Sequence, residues 1–289
     1  MLALILKFIF GAIAVIFSAI LVRDTLKTDT KKESGSFVTS GIIGGVVYFF
    51  DTLGIGSFAT STLLLRAFKQ VPDRLLPGTL NAMCAVPTLI ESLIFISVIP
   101  VDLLTLISTV ITSMIGAWLG AAYVAKLPEQ KIRLAMTIAL LITGTFMLAN
   151  QLHLLPSATH DAIGLSGVKL VIAAISTAII AALGNVGIGF YAPCLSILYL
   201  LGMSKSVFPI MMSCCALCST VSGLKFIKEG AYNRKVTIAM AAIAIIGVVI
   251  AAKIVHDLSI EKLMWVVVVV VYYTAGSLFW TFYKNLKKL

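Results

Sequence analysis

Two short glycine-containing segments carry the residues of this sequence that are best placed to do chemistry. The first is Leu53-Gly54-Ile55-Gly56, followed by Ser57, and the second is Val186-Gly187-Ile188-Gly189. Each is predicted to interrupt a helix at membrane depth, where irregular backbone is tolerated only if it is buried in protein or lines an aqueous cavity. The helix after each segment begins with unpaired backbone N–H groups and the positive end of its dipole. Two such helix starts that meet predict a binding site for a small anion.

Neutral donor side chains near these segments are predicted to complete the site. Thr79 and Asn81 open the next helix in the first half of the chain, and Ser213 and Cys214 occupy the matching place in the second half. Neutral donors without a cation suit a small oxyanion that must also leave. The same residues are compatible with close helix packing and interhelical hydrogen bonds alone. The candidate substrate-binding residues are Gly54, Gly56, Ser57, Thr60, Thr79, Asn81, Gly187, Gly189, Tyr191, Ser213 and Cys214.

Two carboxyl groups, Asp51 and Glu91, lie well inside apolar segments. Ionisable residues in membrane segments are rare and often belong to proton or ion pathways. Asp51 and Glu91 are therefore the candidates for proton coupling, although a carboxyl retained for structure, or paired with a lysine, fits the same pattern. Cys214 and Cys218 share a helix face, but no histidine or second thiol pair is near in sequence, so we expect no metal and no cofactor.

The composition of the chain predicts an all-α polytopic membrane protein. Hydrophobic residues make up 60% of the 289 positions and charged residues 12%, against about 25% charged in soluble domains. The mean hydropathy is +1.08, and apolar runs long enough to cross a hydrocarbon core of about 30 Å recur along the sequence. The net charge of +10 is then explained by basic cytoplasmic loops beside anionic lipid, and we expect no nucleic-acid binding.

The chain is predicted to contain a duplicated unit of about 130 residues. Landmarks recur in the same order with an offset that drifts by two positions: Gly54 and Gly187 are 133 apart, Pro77 and Pro209 are 132 apart, and Gly116 and Gly247 are 131 apart. The predicted division is an N-terminal transmembrane helix and cytoplasmic loop (1–36), a first repeat (37–150), an external linker (151–165) and a second repeat (166–289).

Each repeat is predicted to hold a re-entrant, glycine-tipped helical hairpin and three transmembrane helices, with one extra transmembrane helix at the N-terminus. Three spans per repeat is an odd number, so the repeats are inverted. This arrangement puts 17 of the 22 Lys and Arg residues on one side, which the positive-inside rule makes cytoplasmic. The N-terminus then lies outside and the C-terminus inside. A broken helix in place of the first hairpin would move Lys69 and Arg74 outside, against that rule.

Four segments resemble the sulfite exporter TauE/SafE family, and the likeness runs from about residue 37 to 283. They are Phe49–Phe58, Pro77–Asn81, Gly187–Cys194 and Leu224–Arg234. The resemblance implies a multi-pass permease of the bacterial cytoplasmic (inner) membrane that exports sulfite, organosulfonates or other small organic acids. The second tip keeps Gly187, Gly189 and Pro193 of the family pattern. The first tip has Ser57 and Ser61 where the pattern has glycine and proline, so sulfite is a family label rather than a property of these residues.

Energy considerations favour export. With a negative interior, each negative charge gains about 2.3 kcal/mol per 100 mV on leaving the cell, so an anion exporter needs no coupling ion, whereas uptake of an anion needs protons. Proton-coupled uptake and an anion channel remain the alternatives. We expect no enzyme, because a nucleophilic Ser57 would need a base and no histidine is predicted at membrane depth. ATP is not the direct energy source, because the sequence has no phosphate-binding Walker motif.

Overall fold

The computed structural model describes residues 2–52, 56–95, 101–152, 154, 162–188, 190–203, 206–254 and 260–286. These residues form eleven α-helices and no sheet, with one isolated bridge between Ala162 and Met203. The helices are α1 (Leu2–Lys27), α2 (Phe37–Thr52), α3 (Ser57–Ala67), α4 (Leu76–Phe95), α5 (Leu103–Val124), α6 (Glu129–Gln151), α7 (Gly167–Leu183), α8 (Tyr191–Leu200), α9 (Val207–Glu229), α10 (Arg234–Ile254) and α11 (Ile260–Leu286).

Six helices in the described residues are long and apolar enough to cross a membrane, namely α1, α5, α6, α7 continued to Val186, α9 and α10. This confirms a helical, multi-pass membrane protein. Five of these helices, α1, α5, α6, α9 and α10, coincide with segments that the sequence predicts as spans, whereas α7 coincides with the segment of roughly 166–184 that the sequence predicts as the first arm of the second hairpin. The spans predicted over α4 and α11 are not among the six found in the described residues.

The helices around the two glycine segments are short. Helix α2 has 16 residues, α3 has 11 and α8 has 10. At 1.5 Å per residue, α3 and α8 are each roughly 15–17 Å long. That length is about half of a hydrocarbon core of about 30 Å, so neither helix crosses a membrane by itself.

Helices α4 and α9 pack against each other in the interior of the bundle and run in opposite directions. Near the start of α4, the Cα of Ala82 faces Gly223, late in α9. Near the end of α4, the Ser92 hydroxyl donates a hydrogen bond to the Met212 carbonyl, early in α9, at 2.8 Å. About 78% of the apolar stretch of α9 is buried, so these two helices form much of the core.

Two other helix pairs, α5 with α7 and α2 with α10, approach closely enough to require glycine. A Cβ at Gly116 in α5 would lie 1.9 Å from the carbonyl oxygen of Ala178 in α7. A Cβ at Gly247 in α10 would lie 2.2 Å from the carbonyl oxygen of Gly45 in α2. Gly116 and Gly247 are 131 positions apart, and Gly45 and Ala178 are 133 apart. The same backbone contact therefore occurs twice, between residues that match in the predicted duplication.

The loops that sequence places on one side do meet at one end of the bundle, which we call the basic end. Arg234, at the start of α10, contacts Asp24 at 2.7 Å and Glu33 at 3.2 Å. Arg133 in the first turns of α6 contacts Asp73, in the loop after α3, at 2.7 Å. At the opposite end, the Asp102 N–H donates to the Ile163 carbonyl, which joins the start of α5 to the segment before α7.

Candidate functional site

Helix α3 begins at Ser57, directly after Gly56, whose φ of 89° is one that L side chains rarely adopt. The Asp51 carboxylate, on the last turn of α2, faces the backbone N–H groups of Gly56 and Ser57 and the Ser57 hydroxyl. The first N–H groups of a helix have no acceptor within that helix. The Asp51 carboxylate therefore occupies the start of α3, which is the position where the sequence predicts a bound external anion.

Asp51 belongs to a buried group of polar side chains from α2, α3 and α4. The Tyr48 hydroxyl donates to the Cys84 sulfur, and the Ser57 oxygen lies 3.6 Å from the same sulfur. Cys215, on α9, is within electrostatic reach of Asp51. Among the described residues, none of the groups that act on Asp51 is a cation. This carboxyl is accordingly stabilised by hydrogen-bond donors and not by a salt bridge.

Glu91 is buried beside this group and is in electrostatic contact with Asp51. The Thr52 hydroxyl oxygen lies 2.8 Å from Glu91 Oε1 and 2.8 Å from the Tyr48 carbonyl oxygen. A hydroxyl has one proton to donate. If the Thr52 hydroxyl donates its proton to the Tyr48 carbonyl, it can only accept a hydrogen bond from Glu91. The Glu91 carboxyl must then carry a proton and donate it to Thr52.

The second tip has a different local structure. Helix α7 continues into a π-helical turn at Gly184–Ile188, and α8 begins after Phe190. The Asn185 amide donates to the Ala117 carbonyl of α5 at 3.1 Å and to the Ala181 carbonyl at 3.0 Å, which ties this wide turn to α5. Gly54 and Gly189 lie outside the described residues, as do the side chain of Tyr191 and the surroundings of Gly187.

A small cavity of about 20 Å³ lies between the two tips, and we call it the central cavity. A space of roughly 10–15 Å³ by this measure holds one water molecule, so the central cavity has room for about one such molecule. Both halves of the chain contribute to its wall, and none of the lining side chains is charged. The lining residues are Phe58, Asn81, Ala181, Gly184, Phe190, Cys215, Cys218, Ser219 and Ser222.

Of the sequence-predicted residues, Asn81 lines the central cavity, and Gly56 and Ser57 adjoin Phe58 at its wall. The Asn81 amide also donates to the Pro77 carbonyl of its own helix at 2.8 Å. The Thr60 hydroxyl lies 3.1 Å from the Gly56 carbonyl, so it closes the first turn of α3.

Gly56, Ser57 and Thr60 are not among the lining residues of the central cavity, and neither are Thr79, Ser213 and Cys214. Thr79 donates to the Leu75 carbonyl and accepts the Asn233 N–H at 3.0 Å, which joins α4 to the turn before α10. Ser213 donates to the Pro209 carbonyl of its own helix. Cys214 faces Ser113 and Thr109 of α5.

Sequence reasoning missed most of the cavity wall. Cys215, Ser219 and Ser222 recur at spacings of four and three, which puts them on one face of α9. That spacing was a usable signal. Phe58 and Phe190 were also accessible, because each lies within two residues after the last glycine of its tip.

The chain matches a known protein family, whereas no curated protein and no solved structure matches it. Residues 1–147 match the sequence model of the family described as Sulfite exporter TauE/SafE. That segment is just over half of the 289 residues and contains α1 to α5 and most of α6. The family comprises membrane transporters, not enzymes. The protein therefore belongs to the TauE/SafE sulfite exporter family of membrane transporters.

Proposed function

We propose that the protein is a permease that exports a small anion, sulfite, an organosulfonate or a related organic acid, across the bacterial cytoplasmic membrane. The observation that carries this proposal is the central cavity, an uncharged space between the two tips that both halves of the chain line. The Asn81 amide and the Ser219 hydroxyl supply neutral donors, whereas the Ser222 hydroxyl donates to the Ala117 carbonyl at 3.3 Å. Neutral hydrogen bonds contribute only about 0.5–1.5 kcal/mol each, so an oxyanion held by them can also be released.

The proposed architecture is two inverted repeats, 37–150 and 166–289, joined by an external linker (151–165) and preceded by the helix and loop of 1–36. The antiparallel packing of α4 on α9 supports inversion. The matched contacts Gly116–Ala178 and Gly247–Gly45 support duplication. The short lengths of α2 and α3 support a re-entrant hairpin in the first half. In the second half α8 is equally short, whereas α7 continued to Val186 is long enough to cross a membrane.

The proposed orientation has the basic end in the cytoplasm, with the N-terminus outside and the C-terminus inside. The loops before α2, α4, α6 and α10 meet at this end, and short cytoplasmic loops of membrane proteins carry an excess of Lys and Arg. An anion that leaves the cell then enters the protein from the basic end.

The proposed substrate site combines the wall of the central cavity with the two helix starts, of which the first is open to an external anion only when Asp51 leaves the N–H groups of Gly56 and Ser57. Gly54, Gly56, Ser57 and Thr60 belong to the first start, and Gly187, Gly189 and Tyr191 belong to the second. Asn81 and the α9 face complete it. The contacts of Thr79, Ser213 and Cys214 point instead to roles in packing. Since the central cavity has room for about one water molecule, a larger oxyanion enters only when a hairpin moves.

Proton-coupled uptake is the second candidate function, and the pair Asp51 and Glu91 favours it. Glu91 is buried and Asp51 is partly buried, and the two are in electrostatic contact without a cation among the described groups that act on them. The geometry around Thr52 also accommodates a proton on Glu91. A carrier that takes up an anion against a negative interior needs such a proton site.

Flux in proteoliposomes separates these candidates. Vesicles loaded with sulfite, sulfoacetate, acetate or chloride are given a membrane potential with or without a pH gradient. We expect saturable efflux of one oxyanion under potential alone, and a large loss of that efflux in Asn81→Leu. Flux that requires a pH gradient and loses this requirement in an Asp51→Asn, Glu91→Gln double variant would establish coupled uptake. Flux that does not saturate would indicate a channel, and no anion flux under either gradient would refute the anion site.

A further inference from the structure

A second, larger cavity lies at the basic end, between α3, the α3–α4 loop, α6 and α11. Its volume is about 470 Å³, within the range of roughly 300–1,000 Å³ that is usual for small-molecule sites. No lining residue is shared with the central cavity. The charged residues in its wall are three cations, Arg66, Lys69 and Arg133, and two carboxylates, Asp73 and Glu129.

One carboxylate is shared by the two arginines. Arg66 Nε lies 2.9 Å from Asp73 Oδ1, and Arg133 Nε lies 2.7 Å from Asp73 Oδ2. These three side chains are only 11–14% exposed. Glu129, which is 42% exposed, forms the other ion pair of Arg133. Counting Lys69, the wall carries three positive and two negative charges, so one positive charge has no counterpart in the wall.

The arginines retain donors for a further ligand. Each guanidinium has five N–H groups. Of those on Arg133, Nε donates to Asp73 and one terminal nitrogen donates to Glu129. Arg66 also donates to Ser277 at 3.0 Å and Thr281 at 3.3 Å, which fixes the plane of its guanidinium. A fixed guanidinium plane suits the oxygen pairs of phosphate, sulfate and sulfonate groups.

We propose that this cavity is a second anion site, which binds a tetrahedral oxyanion group between Arg66, Arg133 and Lys69. Asp73 is an internal competitor that holds the two guanidinium groups until the external anion arrives. The group is a sulfonate, sulfate or phosphate, carried either by a soluble molecule or by an anionic lipid headgroup. This proposal rests on the ion pairs and the volume of the basic-end cavity, and it stands whether or not the central cavity transports an anion.

Because Asp73 competes with the external anion for the two arginines, the proposal predicts that removing the charge of Asp73 tightens anion binding. Removing the charge of Asp73 while keeping its shape frees both guanidinium groups, so Asp73→Asn is expected to bind inorganic sulfate about tenfold more tightly than the wild type. If Asp73 only holds helices together, the same change weakens the fold and does not tighten binding.

Lys69 supplies a variant that spares the ion pairs. Its side chain is exposed and lines the cavity, so Lys69→Gln is expected to weaken sulfate binding about threefold without affecting the fold. Lys228 is a matched control, because it is also exposed at the basic end but does not line the cavity. Lys228→Gln is expected to bind sulfate as the wild type does.

The measurement is titration calorimetry of the full-length protein with sodium sulfate, first in a neutral detergent. The expected order of affinity is Asp73→Asn, then wild type and Lys228→Gln together, then Lys69→Gln. Titrations in phosphatidylcholine and phosphatidylglycerol nanodiscs show whether the natural ligand is a soluble anion or an anionic lipid headgroup. Equal sulfate affinity in the two lipids indicates a soluble anion. Loss of sulfate binding in phosphatidylglycerol indicates that the lipid headgroup already occupies the site. Absence of sulfate binding in detergent, or equal affinities for Lys69→Gln and Lys228→Gln, would overturn the proposal even if Asp73→Asn fails to fold.

Discussion

A methyl group placed at Gly184 offers the most direct test of the central cavity. Gly184 lines this cavity, and a Cβ built on it meets no heavy atom within 4 Å. Its backbone has φ −55° and ψ −29°, which alanine adopts without strain. The substitution Gly184→Ala therefore changes the cavity and leaves the surrounding helices where they are.

The expected loss of substrate affinity in Gly184→Ala follows from the volume of the central cavity. The central cavity measures about 20 Å³, and a methyl group is close in size to a water molecule, which fits a space of that order. A substrate that must share the site with this methyl group faces an overpacking cost of about 1–3 kcal/mol, equivalent to roughly 5- to 150-fold weaker binding. The fold should gain up to about 1 kcal/mol, because alanine is the better helix former.

Two measurements on the same preparation check this expectation. Thermal unfolding in detergent should show an unchanged or slightly raised Tm for Gly184→Ala, while anion flux in proteoliposomes falls at least about fivefold. Gly276→Ala is the matched control, because Gly276 in α11 also has no heavy atom within 4 Å of a built Cβ but does not line the cavity. Its flux should equal that of the wild type. Unchanged flux in Gly184→Ala, at equal KM, would refute the assignment of the central cavity to the transported anion.

Three further outcomes are expected from thermal unfolding in detergent. Gly116→Ala and Gly247→Ala should each lower the unfolding free energy by about 1–3 kcal/mol, because each added methyl group overlaps a carbonyl oxygen of the facing helix. A loss in only one of them would contradict the repeated packing. Thr79→Val should destabilise the fold by about 1–3 kcal/mol, because it removes the acceptor of a buried N–H, and flux per folded molecule should not change. Asp102→Ala should cost about 1 kcal/mol at neutral pH as a lost helix cap. Hydrogen bonds from the Thr105 N–H and hydroxyl lower the pKa of Asp102 below its usual 3.8, so the wild-type advantage is present above pH 3.8 and disappears as pH falls through the lowered value. An advantage that persists in stronger acid would contradict this explanation.

Much of the fold follows from local properties of the sequence. Apolar runs determine most of the helices, and the clustering of Arg66, Arg133 and Arg234 at one end follows from the distribution of charge. The proximity of Asp51 to the start of α3 was also accessible, because only five positions separate it from Gly56. The glycine pair Gly116 and Gly247, which matches at an offset of 131, marks the two close helix contacts from sequence alone.

The cavity wall was harder to predict for a geometrical reason. Matching Asn81 at an offset of 132 leads to Ser213, whereas the cavity is lined by the face of α9 that contains Cys215 and Ser219. One residue along a helix rotates the side-chain direction by about 100°, and the repeat offset itself drifts by two positions. The offset therefore identifies the helix but not the face. The role of Thr79 was not accessible at all, because its partner Asn233 is 154 positions away.

The contacts of Gly116 with Ala178 and of Gly247 with Gly45 have a consequence for folding. In each pair one helix belongs to residues 37–150 and the other to residues 166–289, so each half of the chain completes the packing of the other half. Residues 37–150 alone leave the face of α2 around Gly45 without α10 and the face of α5 around Gly116 without α7. The two halves are separate in sequence but depend on each other for packing. Nascent α2 can contact α3 and α4, but it lacks the helix that packs on Gly45 until α10 has been synthesised.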